Sequence, residues 1–245
     1  MEEKSNRSKY IITVILILVA AVLVGVAGAL IYQKKQEEEA KRAAYEKLMA
    51  VKVDNPDMPE DYRQYKADNP DVYAWLYIEG ADVSCPIVQH SSDNAYYLSH
   101  DAKGNDHEGG AVFTENYNSL LFDDPDTVLY GNSGKEGSIF KSLLEYEDPV
   151  YFENHREIMI YLPERTLSYR IFATYVGDDS HLLLNRDLTD KDVFKHYIDE
   201  ILRQRGLKTN VDKQINITPE DKLLTISTGH PSADDARFII QAVLQ

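Results

Sequence analysis

The sequence predicts a mostly β protein, a closed barrel of about eight strands with helical insertions, preceded by an N-terminal transmembrane helix. Three observations support this fold class. An uncharged apolar run occupies residues 11–31. From residue 72 onward, short segments rich in Tyr, Val and Ile alternate with clusters of Gly, Asp and Asn. Two further stretches between these segments have the apolar spacing and composition of helices.

Composition limits the possible functions. A chain of 245 residues, of which 43% are hydrophobic, is long enough for one well-buried domain with appendages. The net charge of -15 argues against a nucleic-acid binder, which needs a basic surface. A single cysteine excludes an intrachain disulfide, so the fold depends on its core. No cofactor is expected.

The first element is the apolar run at residues 11–31, which follows a short tail, residues 1–10. It is long enough to cross a bilayer as a helix. The alternative is a cleaved signal peptide, because basic residues precede the run and small residues lie near its end. The length favours a retained anchor. Lysines and arginines flank both ends, so the positive-inside rule does not choose an orientation.

Residues 32–54 are predicted to form a stalk helix. They are charged and rich in helix formers, and the apolar positions are too few for a coiled coil. A solvated spacer is therefore the favoured interpretation. Prolines at positions 56 and 59 break the helix and mark the start of a domain spanning residues 55–245.

Within this domain, eight segments are predicted as strands: VYAWLYI, VSCPIVQ, GAVFTE, TVLYG, REIMIYL, LSYRIFATYVG, LLTIST and RFIIQAVL. Two helical insertions are predicted, one over residues 138–155 and one from Asp190 to Leu207. Irregular strand spacing favours a barrel over parallel βαβ units.

Three short motifs carry a resemblance to a known family. They are YGNS ending at Ser133, ISTG ending at Gly229, and DARF, which contains Arg237. They resemble the active-site segments of the class B sortases, membrane-anchored cysteine transpeptidases of Gram-positive bacteria, which read Tyr-Gly-His-Asn, Leu-Ser-Thr-Cys and Asp-Ala-Arg-Phe. The resemblance extends from about residue 55 to the end, and the flanking residues stay in register without insertion. Asn132 therefore stands at the family's His position and Gly229 at its Cys position, while Arg237 is retained.

The resemblance implies a sortase barrel outside the cell, with the N-terminus in the cytoplasm. Glycine cannot form an acyl-enzyme, and asparagine does not titrate near neutrality. Arg237 can still donate hydrogen bonds to a peptide carbonyl. We therefore expect a pseudoenzyme that binds surface proteins or pilins through an Asn-Pro-x-Thr-like sorting signal. The alternatives are an active transpeptidase or peptidase with relocated residues, and a structural surface protein whose groove binds nothing.

Relocated catalysis has a few candidate residues. His230 follows Gly229 directly, and Ser227, Thr228 and Ser133 supply hydroxyls nearby. A Ser-His or Thr-His pair would need a group that orients the imidazole. His230 is instead predicted to be a surface loop residue. The only thiol, Cys85, is predicted to be a buried small hydrophobe.

Two charged features have structural alternatives. Arg237 could form an ion pair with Asp234 or Asp235 rather than contact a ligand. The loop HDAKGNDHEGG, from residue 100 to 110, contains possible ligands for a divalent cation. Its spacing matches no EF-hand or zinc signature, so an acidic turn without a metal is predicted.

Overall fold

A computed structural model describes residues 26–36, residue 39 and residues 53–245. Residues 26–36 are helical (α1) and exposed, and Lys35 Nζ lies 3.7 Å from a carboxylate oxygen of Glu39. Most of the predicted anchor and stalk lies outside the described residues. In the described part of the chain, no helix combines the length and the apolar character that crossing a membrane requires.

The compact unit Val51–Gln245 is built on nine strands. Eight of them close into a barrel in the order β1, β2, β3, β4, β8, β9, β6, β5, and β5 pairs with β1 again. The short β7 pairs only with β6. The strands are β1 (Val72–Ile78), β2 (Val83–Val88), β3 (Val112–Thr114), β4 (Asp126–Tyr130), β5 (Glu157–Tyr161), β6 (Thr166–Gly177), β7 (Asn210–Val211), β8 (Leu223–Gly229) and β9 (Arg237–Leu244). The predicted closed barrel is confirmed.

Helices and 3₁₀ turns fill the connections. They are α2 (Asp61–Asp68), the 3₁₀ helices η1 (Tyr96–Leu98) and η2 (Ile139–Glu147), α3 (Pro149–Asn154) and α4 (Lys191–Leu202). The insertion predicted over residues 138–155 is thus η2 followed by α3. The Asp148 side chain accepts hydrogen bonds from two amides of the first turn of α3, and Pro149 holds the first helical position.

Helix α4 is shorter than predicted. It begins where the Asp190 side chain accepts hydrogen bonds from the amides of Asp192 and Val193, and it ends at Leu202 rather than Leu207. Its apolar face packs on β6, β8 and β9 through four buried residues, Phe194, Tyr197, Ile198 and Ile201. Beyond Leu202 no apolar side chain continues this face into the core: Leu207 is fully exposed, which explains the early end.

A buried polar cluster ties α4 to the barrel. Thr225 Oγ1 on β8 lies 2.8 and 2.9 Å from the carboxyl oxygens of Asp126, and the Tyr197 hydroxyl on α4 lies 3.2 Å from the same group. Gln241 on β9 donates to the Tyr197 hydroxyl at 2.9 Å. Burial raises the pKa of Asp126 to about 7. These contacts therefore link β4, β8, β9 and α4 through one titratable carboxyl group.

Candidate functional site

The barrel brings the three motif positions to one place. Strands β4 and β8 are parallel neighbours, with Tyr130 paired to Ser227, so Asn132 and Gly229 each lie two residues further along. Strands β8 and β9 are antiparallel, and Gly229 pairs directly with Arg237. Asn132, Gly229 and Arg237 therefore meet at one end of three adjacent strands.

Two side chains join the strand ends. The Ser133 hydroxyl donates to the Gly229 carbonyl oxygen at 2.5 Å, and the Thr228 hydroxyl donates to the Gly131 carbonyl oxygen at 2.7 Å. Both hydroxyls are thereby committed to main-chain acceptors. Neither Ser227 nor Thr228 lies within hydrogen-bond distance of the His230 ring, so the alternative of a Ser-His or Thr-His pair does not form with these two residues.

Open space surrounds Gly229. A Cβ atom built at this position would have Ser133 Oγ at 3.7 Å as its nearest neighbour, which is an ordinary contact. The backbone at Gly229 is also outside the left-handed region, so the position does not require glycine. A side chain would fit here. Because glycine has none, the position carries no group that could act as a nucleophile.

Asn132 is held by the loop between η1 and β3. Its side-chain amide donates to the carbonyl oxygens of Leu98 at 3.1 Å and Gly109 at 3.2 Å, and lies 3.4 Å from that of Glu108. The same loop approaches the segment after β4 closely, since a Cβ added at Gly109 would lie 2.8 Å from the main chain of Gly137. Asn132 therefore clamps one loop onto another.

Arg237 is half-buried and contacts only main-chain oxygens. Its Nη1 donates to the carbonyl oxygens of Asp234 at 3.3 Å and Ala236 at 3.2 Å. Among the residues that the structure describes, no carboxylate lies within ion-pair distance of Arg237, so the alternative of a pair with Asp234 or Asp235 is wrong. Its Nε and Nη2 donate to no residue in the same part of the chain, which leaves donors for a ligand.

Cys85 does not belong to this site. It lies on β2, opposite Leu76, and is 5% exposed. Burial raises the pKa of its thiol to about 12, so the thiolate does not form near neutrality. The prediction of a buried hydrophobe is confirmed.

His230 is not a surface loop residue, contrary to the prediction from sequence. Its side chain is 3% exposed and lies between two polar partners. Nε2 is 2.6 Å from Glu147 Oε1, and Nδ1 is 2.7 Å from Ser232 Oγ. The hairpin after β8 folds back so that the His230 amide donates to the Ala236 carbonyl oxygen.

Glu147, the last residue of η2, also contacts Lys208 Nζ at 2.7 Å. Partial burial opposes its ionisation, but hydrogen bonds and attraction from Lys208 and His230 outweigh this and lower its pKa. Sequence reasoning missed both Glu147 and Ser232. Glu147 is 83 residues from His230 and carries no local signal, whereas the spacing of Ser232 from His230 was visible.

The loop from residue 100 to 110 forms a turn. His100 Nε2 lies 3.1 Å from an oxygen of Asp106, and the Asp101 side chain accepts hydrogen bonds from the amides of Lys103 and Asn105. Across residues 26–36, 39 and 53–245, no group of three or more potential ligands converges on a metal position.

Comparison with known proteins identifies the barrel. No family model matches the chain. Sortase B of Listeria monocytogenes is 27% identical over 222 residues, which cover 89% of this chain and 88% of the relative. A class B sortase of Streptococcus pyogenes involved in pilus biogenesis has a TM-score of 0.67 at 24% identity, over 76% of this chain and 98% of its own. The substrate complex of Staphylococcus aureus sortase B has a TM-score of 0.67 at 20% identity, over 87% and 98%. The chain therefore has the sortase fold, and it is similar over most of its length to sortase B of Listeria monocytogenes.

Proposed function

We propose that this protein is a membrane-anchored pseudoenzyme of the class B sortase type, which binds sorting-signal or pilin peptides without transpeptidation. One observation carries the proposal: Gly229 leaves open space opposite Arg237, where the resemblance expects a nucleophilic cysteine. The site keeps a donor for a peptide carbonyl and lacks the group that would attack it.

The chemistry of transpeptidation needs a thiolate, an acid for the leaving amine and a donor for the oxyanion. Gly229 supplies no thiolate, and Cys85 is buried in the core on β2. Asn132 does not titrate, and its amide is committed to main-chain carbonyls. A peptide held by Arg237 would therefore be bound and released unchanged.

The partner class follows from the relatives. One structural neighbour is a substrate complex and another is involved in pilus biogenesis, which supports a sorting signal or a pilin as the partner. Arg237 has unused donors suited to a main-chain carbonyl. The apolar run at residues 11–31 supports a membrane anchor, with the barrel on the extracellular side. The net charge of -15 makes a nucleic-acid partner unfavourable.

Binding and turnover can be measured together. The full-length chain in mild detergent is titrated into a fluorescent peptide with an Asn-Pro-x-Thr signal, and mass spectrometry follows the peptide. We expect saturable binding and an intact peptide. Arg237→Gln should weaken binding by about tenfold or more, because a charge-assisted hydrogen bond contributes about 1.5–3 kcal/mol. The matched control is Arg203→Gln, whose side chain is 70% exposed.

Three outcomes contradict the proposal. Cleavage or transfer of the peptide by the natural chain would show an active enzyme. Absence of binding would favour a structural surface protein. Equal affinity of the Arg237→Gln variant would place the peptide elsewhere.

Restoring the nucleophile tests whether the groove is intact. Gly229→Cys should fold with unchanged stability, because the position has room for a side chain. The new thiol should react with a thiol reagent in the folded protein, and Cys85 should not. Adding Asn132→His should then give transpeptidation of the signal peptide. A Gly229→Cys thiol as unreactive as Cys85 would show that the groove is closed.

A second candidate function, relocated catalysis, is favoured by one specific observation. The His230 ring has a carboxylate on one nitrogen and a hydroxyl on the other. The hydroxyl belongs to Ser232, which sequence reasoning did not select.

A further inference from the structure

Ser232, His230 and Glu147 form a continuous hydrogen-bonded chain. The Ser232 main-chain amide lies 3.3 Å from His230 Nδ1 and can only donate, so this contact favours the neutral tautomer in which Nδ1 accepts. In that tautomer the Ser232 hydroxyl, 2.7 Å away, donates to Nδ1. The ring proton is then on Nε2, which donates to Glu147.

The three groups have the environments that a nucleophile, a base and an orienting group require. Ser232 is exposed on the hairpin, whereas the His230 side chain is almost completely buried. Glu147 is held as a carboxylate by Lys208 and His230. A hydroxyl within hydrogen-bond reach of an imidazole that a third group orients is the signature of an activated nucleophile, whatever the order of the residues in the chain.

The hydroxyl contact is not an automatic result of local geometry. His90 and Ser92 have the same spacing, and the Ser92 amide lies 3.4 Å from His90 Nδ1. There the hydroxyl makes no hydrogen bond to the ring, and among the described residues no carboxylate lies within ion-pair distance of His90. A purely structural role for His230 needs only Glu147 and the amide. It does not need the Ser232 hydroxyl on Nδ1.

We propose that Ser232, His230 and Glu147 form a serine acyl-transfer site, distinct from the positions of Asn132, Gly229 and Arg237. Ser232 Oγ attacks the carbonyl carbon of an ester, and its proton passes to His230 Nδ1. The bond from the acyl carbon to the alcohol oxygen breaks, and the alcohol leaves with that proton. Water then hydrolyses the acyl-serine by the same route and releases the carboxylic acid.

The surroundings define the substrate class. The Ala233 amide, next to the nucleophile, donates to no described residue and is available to an oxyanion. Asp234 and Asp235 follow on the exposed part of the hairpin. Two carboxylates beside the nucleophile disfavour anionic substrates, so the site suits neutral or cationic esters.

A fluorophosphonate probe tests the nucleophile on the full-length chain. Ser232 Oγ should displace fluoride, and mass spectrometry of the digested protein should locate the adduct on Ser232. Ser232→Ala should remove labelling, and Ser92→Ala should leave it unchanged. His230→Gln should slow labelling about a hundredfold, because general bases contribute about 10²–10⁴ in rate. Absence of labelling, or an adduct on another serine, overturns the proposal.

A second measurement separates activation from folding. In the Ser232→Cys variant the new thiol should react with iodoacetamide at neutral pH at least tenfold faster than in the Ser232→Cys, His230→Gln double variant. Buried Cys85 does not interfere. Equal rates would mean that His230 only supports the hairpin.

Glu147 acts through His230 and is a positioning residue. Glu147→Gln should slow probe labelling about tenfold, and Glu147→Asp should restore part of the rate. If the two variants change labelling and melting temperature in parallel, the role of Glu147 is structural. The proposal that Glu147 orients His230 for catalysis is then overturned. This activity does not depend on the proposed peptide binding. Probe labelling is measured without the signal peptide and uses none of the residues proposed to bind it, so either proposal can fail while the other holds.

Discussion

At the scale of single residues, Asn132 and Gly229 have different roles, although both stand where the resemblance predicts catalytic groups. Gly229 has open space beside it, and a larger side chain could occupy this space without a clash. Asn132 has a structural task, because its amide joins the loop after η1 to the segment after β4. Asn132 therefore makes structural hydrogen bonds at its position, while Gly229 makes no side-chain contact at its own.

Removing the Asn132 amide should loosen this loop. In Asn132→Ala the carbonyls of Leu98 and Gly109 lose their donor, so the free energy of unfolding should fall by about 1–2 kcal/mol. Hydrogen exchange of amides at residues 99–111 should accelerate. Urea unfolding and hydrogen exchange measure both effects. Asn154→Ala, at an exposed position, is the control. An equal response of the two variants would contradict the role of the Asn132 amide in holding this loop.

The motif residues could be found from sequence, because Gly229 ends β8, Arg237 begins β9 and Asn132 lies two residues after β4, and the barrel sets which strands are neighbours. The resemblance located Asn132, Gly229 and Arg237, and the structure brings them together. Glu147 could not be found in this way. It reaches His230 only because η2 folds beside the hairpin after β8, and no local pattern encodes that contact.

At the scale of elements, strands were more predictable than short helices. The eight predicted strands are bounded by turn residues and rich in β-branched and aromatic side chains, so their limits agree closely with the structure. Helix α2 was missed because only Tyr62 is buried and eight residues give little periodicity. Strand β7 was missed because two residues carry no alternation.

The cluster around Asp126 should make stability depend on pH. The folded chain binds this proton with a pKa of about 7, against an ordinary value of 3.8. Between these two pH values Asp126 is protonated in the folded state and ionised in the unfolded state. The contribution of Asp126 to the free energy of unfolding therefore falls as pH rises from about 4 to about 7, and it is constant above pH 7. The slope is at most about 1.4 kcal/mol per pH unit.

Urea unfolding at pH 5 and pH 8 measures this dependence. Asp126→Asn keeps a neutral side chain at every pH and should reduce the loss of stability between the two pH values. Asp179→Asn, at an exposed position, should behave as the natural chain does. An unchanged slope in Asp126→Asn would mean that Asp126 is ionised in the folded state.

At the scale of the whole molecule, the chain divides into the unit Met1–Ala50 and the barrel unit Val51–Gln245. The apolar run at residues 11–31 lies in the first unit, mostly outside the described residues. Its proposed role as an anchor depends on its length and lack of charge.

The anchor predicts where the protein is found after cell fractionation. In a Gram-positive host, the full-length chain should remain in the membrane pellet after an alkaline carbonate wash, and deletion of residues 1–31 should release it. Intact-mass analysis of the pellet protein should give the uncleaved chain. A soluble product that lacks the apolar run would support a cleaved signal peptide.

Closure of the barrel also restricts how this protein can associate with others. Because β5 pairs with both β1 and β6, the two-residue β7 is the only unpaired sheet edge within residues 53–245. Long open edges are the templates on which β proteins add foreign strands and grow into fibrils. A protein without such an edge can be present at high density without edge-to-edge polymerisation. Any peptide that it binds has to be held by loops and side chains rather than as an added strand.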